Sequence, residues 1–341
     1  MTKQRKAYAR AGVDVDLGNR LKRKIHRLVQ STHGSEVLGK IGGFGGLFSA
    51  NFSGMHKPVL VASVDGVGTK LKIAFAMNRH DTVGADLVNH CVNDIAVLGA
   101  RPLFFLDYIG AGKLESRLFD QLLRGFTRAC RSAGCALIGG ETAQMPGMYR
   151  SGEYDLAGCI VGVVDRGKMI DGRKMIRAGD IVLGLPSNGL HTNGYSLARK
   201  VFFETMRLNL RSKLPGLKQS LGSELLRVHK NYQPLLAKIP SRLIHGLAHI
   251  TGGGLVDNLP RVLPKTCDAL IDTKSWRIPP IFQLLQRNGK IDPTEMFQVF
   301  NMGIGMVAVV GKRDAASIAR RLKAKIIGRI ERGSGKTRLL F

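Results

Sequence analysis

The sequence predicts a two-domain α/β protein built on mixed sheets, and three observations carry that expectation. The chain has 341 residues, a length that favours two domains, each able to bury its own core. Between residues 59 and 164, short apolar runs alternate with amphipathic stretches, and a second such series begins after Gly167. Within each series the strands and helices intermix without the strict βαβ rhythm of a doubly wound parallel sheet. The expected organisation is an N-terminal segment at 1–57, an N-terminal α/β domain at 58–167 and a C-terminal one at 168–341.

Residues 1–57 are polar and glycine-rich apart from a helix around Gly18–Thr32, where Leu21, Ile25 and Leu28 recur at helical spacing. Gly42-Gly43-Phe44-Gly45-Gly46 holds no regular element and reads as a mobile loop. Val59–Val64 is then a strand, Asp65–Lys70 a turn and Thr82–Leu98 a helix. Strands follow at Leu103–Tyr108, Ala136–Gly139 and Asp155–Val164, with a helix at Glu115–Ala133. In the second unit, strands are expected at Asp180–Leu185, Ala269–Asp272 and Gly305–Val310. Helices are expected at Asn193–Phe203, Ser223–Ala237, Leu255–Leu259 and Asp314–Lys323, and 205–223 is poorly patterned.

Composition excludes several function classes. The longest apolar runs, such as Val59–Ala62 and Ile304–Val310, fall far short of the roughly 20 residues of a membrane span. The basic start Met1–Lys6 has no apolar stretch behind it, so no secretory signal is expected. Cys91, Cys130, Cys135, Cys159 and Cys267 form no Cys-x-x-Cys pair, which argues against zinc or a disulfide framework and for buried thiols in a reducing cytoplasm. The net charge of +27 raises nucleic-acid binding as a candidate. Its basic residues are scattered, with mild concentrations at Arg20–Arg27 and Arg320–Lys325, and no zinc-finger or RNA-recognition signature accompanies them. The charge reads as solvated surface attracting anionic substrates, since charge alone supports only non-specific binding.

Four islands carry chemistry. Asp65-Gly66-Val67-Gly68-Thr69-Lys70 places a carboxylate at the end of an apolar strand, beside open backbone, a hydroxyl and a cation. Asn93-Asp94 lies near a helix end, and Gly139-Gly140-Glu141-Thr142 follows a strand. Asp65, Asp94 and Glu141 suit a hard divalent cation such as Mg2+, which wants oxygen ligands and keeps phosphates in its shell. In His249-Ile250-Thr251-Gly252-Gly253-Gly254, the hydroxyl of Thr251 and the amides of Gly252, Gly253 and Gly254 form an anion seat before a helix, suited to a substrate phosphate.

Other motifs leave two readings open. Asp86, His90 and Asp94 share a helix face at i, i+4 and i+8; Asp86 and His90 fit a solvated face as well as a site. Asn188–Ser196 gathers His191, Thr192 and Asn193, which either position substrate or cap a helix. Asn301–Met306 has the look of a close packing turn. Gly335-Lys336-Thr337 mimics the end of a P-loop, but the glycine required five positions earlier is Ile330.

Taken in order, these motifs resemble the AIR synthetase family, the phosphoribosylformylglycinamidine cyclo-ligases of a PurM-like ATP-dependent superfamily. The resemblance runs from Tyr8-x-x-Ala11-Gly12-Val13-Asp14 to Ile327-Gly328-x-Ile330, and takes in Gly42–Gly45, Val64–Leu71, Cys91–Ile95, Gly139–Tyr149, His191–Leu197 and Asn301–Met306. It implies a homodimer whose N-terminal sheets combine into a barrel. It also implies ATP-dependent ring closure of formylglycinamidine ribonucleotide to aminoimidazole ribonucleotide. Carried over by residue, Asp65, Asp94 and Glu141 would organise Mg-ATP, with Thr69 and Thr142 beside them, Lys70 on its phosphates and Gly42, Gly43, Gly45 and Gly46 as a lid. His191 and Asn193 would face the reacting centre. Two departures stand out: Gln144 replaces the family's usual Glu, and Val228-His229 replaces a Pro-Thr pair. Selenophosphate synthetase and thiamine-monophosphate kinase share parts of the pattern. The first needs a reactive Cys or selenocysteine in the glycine-rich loop, whereas the first cysteine here is Cys91; the second lacks the His249–Gly254 island. A basic binding protein would leave all four islands unexplained.

Overall fold

The computed structural model describes residues 7–39, 41–113 and 115–341. The basic Met1–Lys6 start lies outside them. The first sheet has four strands, β1 (Pro58–Gly66), β2 (Arg101–Ala111), β3 (Ala136–Gln144) and β4 (Tyr154–Asp165), in the order β1-β4-β2-β3. Only the β2–β3 pair is parallel, so the sheet is mixed, as the irregular rhythm predicts. Helices Asp81–Ala96 and Ser116–Ala133 cover one face. They cross closely because glycines meet there: a Cβ on Gly125 would stand 2.2 Å from the Asp81 carbonyl oxygen. The opposite face leaves Leu60 and Val64 exposed.

The second sheet has six strands: β5 (Ile181–Pro186), β6 (Ile244–His249), β7 (Cys267–Asp272), β8 (Ile304–Val310), β9 (Lys325–Arg332) and β10 (Thr337–Leu340), ordered β10-β7-β9-β5-β8-β6. Every residue of β8 is buried, which explains why it reads as a continuous apolar run rather than an alternating one. Helices Pro280–Gly289, Pro293–Val299 and Ala315–Leu322 pack alongside.

Several expectations need correction. Asp65 and Gly66 belong to β1, not to a turn, because β4 pairs with them at Gly158 and Ala157. Likewise Glu141 lies inside β3, which continues to Gln144 alongside β2. The helix expected at Asn193–Phe203 is α-helical only over Tyr195–Arg199 and continues as a wider π turn over Lys200–Thr205. No single helix spans Ser223–Ala237; short ones at Leu221–Leu225 and Gln233–Leu236 flank a non-helical run. The physical reason is side-chain capture. Asp86 accepts from the His229 amide, Asn89 donates to the His229 carbonyl, and Asn93 bonds both the Lys230 carbonyl and the Tyr232 amide. These bonds replace those a helix would have made. Strands β6 and β10, and the helices at Pro280–Gly289 and Pro293–Val299, were not anticipated either.

Candidate active site

The Asp81–Ala96 helix is the axis of the site. Fourteen of its residues are buried, so the solvated-face reading of Asp86 and His90 does not hold. A helix this deeply buried gives most of its polar side chains a partner, Thr82 Oγ1 excepted. Asp86 pairs with Lys70 at 2.8 Å, and neither side chain reaches solvent. Asn89 and Asn93 hold the 229–232 backbone. Asn93 is therefore structural, and of the Asn93-Asp94 pair only Asp94 opens outward.

Around this helix a continuous hydrogen-bonded chain runs from Asp65 to Asp94. His90 Nε2 stands 2.8 Å from Asp65 Oδ2, and His90 Nδ1 is 2.8 Å from Thr192 Oγ1. Thr192 Oγ1 lies 3.3 Å from His229 Nδ1, and His229 Nε2 lies 2.9 Å from His249 Nε2. His249 Nδ1 closes the chain 2.8 Å from Asp94 Oδ1. Each of these five contacts needs one hydrogen. Three neutral imidazoles and one hydroxyl supply only four, so the chain closes with one extra proton. Both ends are carboxylates that only accept, which assigns the direction: His249 Nδ1–H donates to Asp94, His229 Nε2–H to His249, and the Thr192 hydroxyl to His229. His90 donates from both nitrogens.

The electrostatics agree with that assignment. Burial opposes a charge on His90, but the hydrogen bond and charge of Asp65 outweigh it and raise its pKa. Burial, reinforced by neighbouring imidazoles and cations, drives His191 and His229 well below the usual imidazole range. Burial also lowers His249, although Asp94 opposes it. Burial alone would raise Asp65 and Asp94; hydrogen bonds from His90 and His249 reverse that and hold both below the usual carboxylate value.

The remaining site candidates distribute unevenly. Lys70 directs its ammonium to Asp86 and to the His191 and Arg227 carbonyls, at 2.9 and 2.7 Å for the latter two. All three of its N–H donors face inward, where they tie the segment after β1 to the buried helix. His191 is buried too, with a backbone φ of 65° and its ring stacked 4.1 Å from that of His229. It shapes the chain from behind, while Thr192, beside it, is a member. Asn193 sits next to Gly252: a Cβ there would lie 3.2 Å from Asn193 Oδ1. The Thr251–Gly254 turn is held by Asn258, which donates to the Gly252 and Gly254 carbonyls. The Gly254 amide already donates to the Thr251 carbonyl, and a Cβ on Gly254 would meet the Phe297 carbonyl oxygen at 1.9 Å. Gly254 is thus a packing glycine. The close packing turn is confined to Asn301–Gly303, with Asn301 donating to the Gly189 and Leu190 carbonyls, and Ile304–Met306 already belong to β8.

Glu141 does not join Asp65 and Asp94 within one subunit. Asp65, Gly158, Asp107 and Gly140 form one cross-strand row, so Glu141, one residue on, turns to the other face. It also lies three strand spacings away, about 14 Å, too far for one ion. Glu141 and Thr142 share the β3 edge with the exposed glycine-rich loop, whose Gly46 packs on Ile138. Thr69 bonds Ser196 at 3.0 Å. His90 and His229 are the participants that sequence reasoning undervalued; burial of the helix was the missing signal for His90, and no local signal marked His229.

A four-stranded and a six-stranded mixed sheet, with a carboxylate–imidazole chain where they meet, define the class of protein. Residues 53–164 match the family described as AIR synthase related protein, N-terminal domain, and residues 177–339 match its C-terminal domain. Curated relatives include the phosphoribosylformylglycinamidine cyclo-ligase of Syntrophus aciditrophicus, 50% identical over 98% of both chains. That of Bacillus thuringiensis subsp. konkukian is 50% identical over 97% of both. The chain belongs to the phosphoribosylformylglycinamidine cyclo-ligase family. Among solved structures, thiamine-monophosphate kinase from Stenotrophomonas maltophilia K279a shares the fold with a TM-score of 0.68, 19% identity and 96% coverage of each chain. Hydrogenase maturation protein HypE in complex with ATP aligns with a TM-score of 0.67 at 16% identity, over 94% of this chain and 90% of that one.

Proposed function

We propose that the chain closes the imidazole ring of aminoimidazole ribonucleotide from formylglycinamidine ribonucleotide, with ATP converted to ADP and phosphate. The observation that carries this is 50% identity over nearly the full length of enzymes named for that activity. In this reading ATP phosphorylates the formamide oxygen, making it a leaving group, and the amidine nitrogen displaces phosphate. The protein's task is positioning and charge neutralisation.

Asp65 and Asp94 present carboxylates on one side of the first sheet, with side chains 36% and 28% exposed, so each keeps an oxygen lone pair reachable from solvent. Asp65 and Asp94 would hold a magnesium ion, whose oxygen-loving chemistry suits carboxylates and which would supply charge neutralisation for nucleotide phosphates. Gly252 and Gly253, with Thr251, would seat the ribose phosphate, and Asn193 beside them would orient the reacting amide. Gly42–Gly46, Glu141 and Thr142 would hold another part of the nucleotide along the β3 edge. The uncovered apolar face carrying Leu60 and Val64 supports pairing of two subunits through their first sheets. No helix among the described residues is long and apolar enough to cross a membrane, consistent with a cytoplasmic enzyme.

The test is ADP release by the purified chain with Mg-ATP, with and without formylglycinamidine ribonucleotide. Substrate-dependent ADP, matched one-for-one by aminoimidazole ribonucleotide, is the expected result. ADP formed regardless of that substrate would assign a kinase activity instead.

A further inference from the structure

We propose that a cleft between the two units binds a small organic phosphate ester, with its apolar body on a buried floor and its phosphate on Arg101, Lys168 and Arg242. The cleft lies at the end of the Asp81–Ala96 helix and has a volume of about 530 Å³, within the roughly 300–1,000 Å³ of small-molecule sites. Its floor is apolar: Ala100, Ile170, Leu236 and Leu247 are all buried. No lining residue belongs to the Asp65–Asp94 chain, and the proposal is independent of the cyclo-ligase reading.

The walls come from both units. On one side, the turn after the helix meets the linker that leaves β4, where the Ile170 amide donates to the Leu98 carbonyl at 3.2 Å. Gly99 has φ of +80°, and a Cβ on it would stand 3.1 Å from the Lys168 carbonyl oxygen. A bare backbone there lets the linker close this wall. On the other side stand the Gln233–Leu236 helix, the Ser241–Leu243 turn and the start of β6. An occupant would therefore touch both units at their junction.

The rim sets the charge of the ligand. Arg101 opens β2, Lys168 ends the turn after β4, and Arg242 precedes β6; all three are exposed and line the cleft. Among the described residues, no carboxylate lines it and none of these cations takes part in an ion pair. Like charges gathered over a low-dielectric wall focus positive potential on the space between them. A phosphomonoester brings about two negative charges and three terminal oxygens, and the arginine fork pairs with such oxygens two at a time. A carboxylate offers one charge and two oxygens, fewer than three cations can use. The floor sets this place apart from the other surface cations, because an apolar body gains by leaving water for buried aliphatic side chains.

The experiment titrates the full chain with 1-naphthyl phosphate, followed by calorimetry and by melting temperature. Expected are one equivalent bound and a raised unfolding temperature. Inorganic phosphate, 1-naphthol and 1-naphthoate should each bind roughly 10-fold more weakly or worse. Arg101→Gln and Arg242→Gln should each weaken the ester by roughly 10-fold, as for loss of one hydrogen bond to a charged group. Ala237→Phe, at an exposed lining position, should block binding with circular dichroism unchanged. Should one variant fail to fold, the other two carry the test. Saturating Mg-ATP should leave the affinity as it is. No binding, equal affinity for any of the three control compounds, unaltered affinity in the folded variants, or displacement by Mg-ATP would overturn the proposal. Capture by vesicles containing phosphatidic acid, without binding of the soluble ester, would overturn it in favour of a lipid headgroup. Each of these results leaves the cyclo-ligase reading standing, and loss of turnover alone leaves the cleft proposal standing.

Discussion

Lys70 and Asp86 face each other at 2.8 Å with neither side chain open to solvent, tying the segment after β1 to the buried helix beneath it. For both partners, burial outweighs their mutual attraction: it lowers the Lys70 pKa and raises that of Asp86. Such a pair is intolerant of losing one member. Asp86→Ala should destabilise the fold by about 3–5 kcal/mol, read by denaturant unfolding. Lys70→Met combined with Asp86→Leu should recover part of that. A single-variant loss below ~1 kcal/mol would refute the tie.

Asn93 tests side-chain capture of the 229–232 segment. Its amide serves the Lys230 carbonyl and the Tyr232 amide, so Asn93→Ala leaves two buried backbone groups without partners. A loss of about 2–6 kcal/mol is expected, at 1–3 for each of the two groups orphaned. Hydrogen exchange at the Tyr232 amide should accelerate beyond the global change. Unaltered exchange there would show that the segment holds itself.

Stability should fall on acidification below the ordinary imidazole range. His191 and His229 have folded pKa values well below the model-compound value of 6.5. Under pH 6.5 the unfolded chain therefore takes up protons that the folded one refuses, and stability declines as pH drops. Above pH 6.5 their contribution is fully present. His90, with its raised value, works in the opposite sense and loses its contribution as pH rises through its folded pKa. His80 and His249 are depressed as well, so among the imidazoles four depressed sites against one raised site give a net fall toward acid, measurable as melting temperature from pH 8 to 5. A flat profile would mean that the imidazoles are not buried in neutral form.

Asp65→Asn and Asp94→Asn preserve shape while removing charge. Each should lower turnover with Mg-ATP by ~100-fold or more, as expected for loss of charge stabilisation at a transferring phosphoryl group. Circular dichroism should stay unchanged. Unaltered turnover in both variants would exclude these carboxylates from the nucleotide site.

Gly254→Ala separates packing from anion binding. The residue has φ of +57°, and its Cβ would meet the Phe297 carbonyl oxygen at 1.9 Å. We expect destabilisation of about 1–3 kcal/mol from the forced shift. Gly252→Ala, where the nearest atom is Asn193 Oδ1 at 3.2 Å, should instead raise KM for the ribonucleotide substrate with little change in stability. The reverse pattern would place the anion at Gly254.

The local pattern of the chain was enough for the first sheet. Apolar runs bounded by glycine and helices with a clear period gave β1, β2 and β4 and the helices between them to within a few residues. Asp65 and Asp94 could be singled out, the first at the end of an apolar strand and the second near the end of an apolar helix, whereas His249 entered only as the start of the island whose expected anion seat is Thr251–Gly254. The break within 223–237 was not legible, because its cause lies about 140 residues away in Asp86, Asn89 and Asn93. Strand β10 is short and finds its partner β7 only through the fold.

The sequence by itself determined the class: two mixed α/β units carrying phosphate-type motifs, since composition, periodicity and motif order are properties of the chain. Only the tertiary structure decided which polar residues do what. Lys70 and His191 turned inward and Glu141 fell on the far face of the sheet, while His90 and His229 joined Asp65 and Asp94 in one chain. The physical reason is that burial and strand register are set by contacts between distant segments. Those contacts fix whether a charge meets water, a partner or another charge.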